Sequence, residues 1–275
     1  MVRSVRGRAV SERPSSPVDA IALATAVLIG ALIAWILSVA RMRGMDDGPG
    51  TDLGGLGWYL GIWVTMMAAM MLPSVAPMVL FFARVSSERE RRGARHVPTW
   101  AFLAAYFAIW SAYGLAGYGL YRLITTFDTG FLAWHRAGPY VAGGAIAAAG
   151  IYELTPLKRV CLRHCRSPLH FLLTGWREGW IGALRMGSEH GAYCVGCCWA
   201  LMVILFALGV MSLLWMALVA SLIFAQKVLP AGERLTVPFA VAFVAVGIWI
   251  AAAPDRVPGL TRPDEAPAMH MSSMK

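Results

Sequence analysis

Six apolar runs, at 18–40, 58–82, 100–121, 139–154, 201–220 and 237–253, recur along this 275-residue chain. A run of about 20 apolar residues crosses the hydrocarbon core of a bilayer as a helix, and a helix satisfies its own backbone polar groups there. The chain therefore reads as all-α, a polytopic transmembrane helical bundle of about six spans with the lipid bilayer as its surroundings. Composition agrees, because 58% hydrophobic and only 14% charged residues lie far from the balance of a soluble domain. Trp58 and Tyr59 open the second run, where an interfacial aromatic belt is expected. The fourth run is short and rich in Gly and Ala, which suits close packing at the centre of a bundle.

A net charge of +9 would suggest nucleic acid in a soluble chain, but here the cations group into alternate loops. Eighteen Lys and Arg lie in the segment before the first run, in the second and fourth loops and in the tail, against six in the remaining loops. By the positive-inside rule the N-terminus faces the cytoplasm, and six spans return the C-terminus to the same side. This predicts a cytoplasmic leader at 1–17, a transmembrane domain at 18–253 with a Cys-rich loop at 155–200, and a disordered, Pro-rich cytoplasmic tail at 254–275. The first run follows a polar leader and is longer than a signal-peptide core, so it reads as an uncleaved span. At 168–187, apolar residues are interrupted by Arg177, Glu178 and Arg185. Each charge at mid-bilayer is unfavourable by about 2.5–3.5 kcal/mol, so this stretch is expected as an amphipathic helix on the cytoplasmic face. No phosphate-loop, zinc-protease or serine-hydrolase motif is present, and neither nucleotide nor nucleic acid is expected as a partner.

Chemistry concentrates in 190–199, which holds three of the five cysteines. On a helix, His190, Cys194, Cys197 and Cys198 share one stripe, at i, i+4, i+7 and i+8. Soft thiolates beside an imidazole suit Cu(I), with Zn(II) possible. The competing reading is that Gly191, Gly196 and the small cysteines only let two membrane helices approach, which does not call for a histidine. A second pair, Cys161 and Cys165, lies one helical turn apart on either side of His164. About 30 residues join the two clusters, enough for a hairpin that brings them together at the reducing, cytoplasmic surface. An odd number of cysteines excludes a fully paired disulfide framework.

In the second run Met67, Met71, Ser74 and Met78 form one stripe, with Met66 and Met70 beside it. Thioethers bind Cu(I) without fixed charge, although methionine also fills irregular core gaps. Pro73 and Pro77 free backbone carbonyls in the same segment. Apart from Asp19 at the edge of the first run, Glu153 is the one acidic residue within a run, and serves as a proton acceptor or ion partner or is held by Lys158 or Arg159. The tail carries a further soft-donor motif, Met269, His270, Met271 and Met274.

Several segments together form a familiar pattern: Met70 to Ser74 with Pro77 and Met78, Leu154 to Lys158, Cys161 to Pro168, Gly175 to Arg177, Ala183 to Gly187, and His190 to Met202. Over roughly 58–229 the chain resembles a bacterial family of unknown function described as predicted metal-binding integral membrane proteins. The resemblance implies a bacterial inner-membrane location and points to Cys161, Cys165, His190, Cys194, Cys197 and Cys198 as metal ligands. Two positions depart from the pattern: Glu153, where Gln is usual, and Gln226-Lys227, where Glu-Lys is usual. The expectation is Cu(I) handling, transport or delivery rather than catalysis, through those six residues with Met67 and Met71, and with a copper chaperone or membrane oxidase as partner. The alternatives are a membrane thiol-disulfide oxidoreductase and an ion-free scaffold.

Overall fold

A computed structural model describes residues 17–43, 53–127, 137–208 and 212–253. The expected leader and tail, including Met269 to Met274, lie outside the described residues. Among those described, the chain forms only helices: α1 (Pro17–Met42), α2 (Leu56–Arg91), α3 (Thr99–Phe127), α4 (Gly138–Glu153), α5 (Pro156–Arg166), α6 (Pro168–Gly175), α7 (Gly179–Leu208), α8 (Leu213–Val228) and α9 (Thr236–Ala252). Four of them, α1, α2, α3 and α7, are long and apolar enough to cross a membrane, and α8 and α9 are shorter apolar helices.

Local chemistry sets the joints between helices. Pro156 and Pro168 open α5 and α6, where a missing N–H leaves nothing unpaired. Thr155 caps α5 by accepting from the Lys158 backbone N–H. Gly179 turns the chain into α7 with φ 76°, a conformation that favours glycine. The backbone helix of α2 continues through both Pro73 and Pro77, and the Ser74 hydroxyl donates to the Met71 carbonyl at 3.0 Å.

Three segments differ from those expected. The run at 201–220 is divided: α7 ends at Leu208 and α8 begins at Leu213, with helix-weak Gly209 and Ser212 between them in sequence. Lys227, in the last turn of α8, contacts Cys194, fourteen residues before the end of α7, so α8 folds back along α7. The Cys-rich stretch expected as a loop, 155–200, is helical for most of its length. The expected helix at 168–187 is two pieces, α6 and the first turns of α7, because Gly179 breaks it. Its charges are matched locally: Arg177 and Arg185 reach Glu189 at 3.1 and 3.5 Å.

The centre of the bundle is α2, α3 and α7. Tyr59 and Trp63 of α2 donate to the carbonyls of Gly114 and Trp110 on antiparallel α3, at 3.0 and 2.9 Å. Phe82 meets Phe102 at the other end, with ring centroids 4.6 Å apart. Helix α7 runs parallel to α3 and so close that a Cβ at Gly187 would strike the Phe102 carbonyl. Helices α4 and α9 pack antiparallel through Gly143 and Gly247, each against the other's carbonyl.

Candidate metal centre

The stripe on α7 is buried along its length: His190, Cys194, Cys197 and Cys198 all face the interior. What completes it is α5. The His164 ring stacks on Tyr193 of α7, centroids 4.2 Å apart and nearly parallel. Arg166 clamps the end of α8, donating to the carbonyls of Gln226, Leu229 and Pro230, groups a helix C-terminus leaves unpaired. These contacts aim Cys165 at α7, where its Sγ lies 3.6 Å from Cys197 Sγ.

The sulfurs of Cys165, Cys194 and Cys197 all lie within 4.8 Å of one another. Metal–sulfur bonds of about 2.3 Å in a trigonal plane separate the sulfurs by about 4 Å, so the three thiols fit one soft ion. Cys198 Sγ is 3.3 Å from Cys197 Sγ but does not join that group of three. All five cysteines are free.

Polar neighbours converge on Cys194. The Tyr106 hydroxyl and the Lys227 ammonium each lie 2.9 Å from its Sγ, and Lys227 Nζ is 4.0 Å from Met71 Sδ. Met71 therefore stands at the edge of the thiol cluster, while Met67, one turn earlier on α2, is buried in the same core.

A second buried network braces the cluster from behind. Lys158 Nζ donates to Glu153 Oε1 at 2.7 Å, to Gln226 Oε1 at 2.9 Å and to the Cys197 carbonyl, and Gln226 Nε2 donates to Glu153 Oε2 at 2.7 Å. Lys158 and Glu153 are fully enclosed. The network ties α4, α5 and α8 to the α7 turn that carries two of the thiols. Lys158 is thus the partner of Glu153, one of the two expected.

Two expected ligands stand apart from the three thiols. Cys161 is one turn back on α5, with its Sγ so near Gly196 that a Cβ there would lie 2.6 Å from it. Burial pushes its thiol above the ordinary value, with Lys158 pulling the other way. His190 is one turn before Cys194, enclosed by Phe102, Tyr106 and Phe171, and its Nδ1 has no hydrogen-bond partner among the described residues. Tyr106 and Lys227 are the site residues that spacing did not reveal. With the fifth run expected to end at 220, Lys227 reads as a loop charge; its sequence signals are a Lys soon after an apolar stretch and its place in the Gln226-Lys227 pair of the family pattern.

The family model for PpoB2, described as a copper chaperone, matches residues 60–250. No curated protein and no solved structure matches the chain.

Proposed function

The chain belongs to the PpoB2 copper chaperone family, and from that premise we propose that it holds Cu(I) on Cys165, Cys194 and Cys197 inside a membrane-embedded helical bundle. The observation that carries the reading is the closure of three thiol sulfurs to within 4.8 Å from two different helices. Thiolates are soft donors that select Cu(I), and three of them around one monovalent ion need no further ligand. Cys165 is half-buried while its two partners are enclosed, so exchange with a copper-donating or copper-accepting protein runs through the α5 side. Cys198 and Met71 adjoin the cluster as donors for an ion entering or leaving it.

The four long apolar helices support insertion in a bilayer, and the cation-rich loops support a cytoplasmic start of α1. Because α8 doubles back on α7, the short helices α4, α8 and α9 join the long ones as seven passes. An odd number puts the end of α9 opposite the start of α1.

Elemental analysis of protein purified anaerobically in detergent, with thiols counted in parallel, tests this. About one copper per chain, lost when Cys194 and Cys197 become Ser, is the expected outcome. The sulfur separations of 3.3 and 3.6 Å also favour a second reading, thiol-disulfide exchange. Absence of metal together with thiols that cycle to disulfides would replace the copper reading with that one.

A further inference from the structure

Lys227 is a buried ammonium whose charge is not matched in the usual way. Its Nζ is 2.9 Å from Cys194 Sγ and 4.0 Å from Met71 Sδ. Among the described residues no carboxylate lies within salt-bridge distance of it. The other buried lysine of the site, Lys158, is paired with Glu153 at 2.7 Å. The thiol cluster therefore faces one positive charge that no carboxylate offsets, fixed at its edge by the last turn of α8, with the Cys194 sulfur as its nearest acidic neighbour. A cation buried without a carboxylate is unfavourable unless the site puts its charge to use.

We propose that Lys227 is a specificity-determining residue that makes the thiol cluster favour a monovalent soft ion, Cu(I), over a divalent one such as Zn(II). The inference rests on the copper reading of the cluster. Repulsion between the ammonium and a bound ion scales with the charge of the ion, and a buried site screens it weakly. Either ion displaces the same thiol protons from the same three cysteines, so whatever Lys227 does for the thiolates cancels in the ratio of the two affinities. The charge of the ion does not cancel. The ammonium also engages Met71 Sδ, a donor that a four-coordinate ion would otherwise recruit, whereas three-coordinate Cu(I) is complete without it.

The test is anaerobic chelator competition on the full chain in detergent, measuring Cu(I) and Zn(II) affinities separately. Lys227→Leu removes the charge without adding a metal donor, Lys227→Gln does so with a polar end, and Lys227→Arg keeps the charge. The ratio of Cu(I) to Zn(II) affinity should shift towards zinc by about tenfold or more in the Leu and Gln variants. It should stay within about threefold of the parent in the Arg variant. A Leu or Gln variant that binds copper with the parent's ratio overturns the proposal, as does an Arg variant that loses selectivity as fully as the other two. Should one neutral variant fail to fold, the other decides, with thermal unfolding in the same detergent showing which is native. A parent protein that binds no Cu(I) removes the copper reading itself, a result distinct from an unchanged ratio.

Discussion

Cys165 Sγ lies 3.6 Å from Cys197 Sγ although the two residues are 32 positions apart in the chain. Neither helix holds the centre alone. Helix α7 offers Cys194 and Cys197 one turn apart, and α5 brings the third sulfur across from the other side. The contacts that dock α5, the His164–Tyr193 stack and the Arg166 clamp on α8, are therefore part of the site as much as the thiols are.

The cysteines should separate by helix position rather than by motif. Cys165→Ser is expected to weaken Cu(I) binding by more than about 100-fold, beyond the range typical of groups that only orient ligands. Cys161→Ser, one turn back and packed on Gly196, should change it by no more than a few-fold. Chelator competition on the two variants reads this directly, and equal losses would mean that both α5 cysteines bind.

Glu153 and Gln226 should be interchangeable as a pair and not singly. Glu153→Gln leaves the enclosed Lys158 without its carboxylate, which is expected to destabilise by about 3–5 kcal/mol. Adding Gln226→Glu returns a carboxylate to the same ammonium, because Lys158 Nζ donates to both side chains. Unfolding in detergent should show most of the loss recovered in the double variant. A double variant no more stable than Glu153→Gln would count against the network as drawn.

The methionines of α2 give a kinetic prediction. Met67→Leu with Met71→Leu conserves volume, so folding should change by less than about 1.5 kcal/mol. The flux of Cu(I) from the loaded protein to an external chelator should slow, since the thioethers of Met71 at the edge of the cluster and of Met67 one turn away are gone. Unchanged flux would assign both residues to packing alone.

The fold class was readable because bilayer-length apolar runs allow little but helices. The reversal between α7 and α8 was not, since 201–220 stays apolar across it apart from Gly209 and Ser212 and only tertiary contact tells one span from the end of a long helix and the start of the next. Helical periodicity correctly aligned Cys194 and Cys197 with His190 on the buried face of α7. It could not say which of Cys161 and Cys165 would meet them, because both lie on one face of α5 and a single turn decides. The two departures from the expected family pattern, at Glu153 and Gln226, turn out to share one hydrogen bond of 2.7 Å. In sequence they are 73 positions apart, and nothing local links them. Lys227 was hidden for the same reason as α8 itself: a lysine after an apolar run reads as a loop charge until the helix is seen to extend past it.

The most direct test of the central claim is X-ray absorption at the copper edge on anaerobically loaded protein, parent against Cys165→Ser. Three sulfurs around copper in the parent, falling to two in the variant with the copper retained more weakly, is the predicted result. Two sulfurs in both proteins, or a first shell of nitrogen in the parent, would contradict a centre shared between α5 and α7.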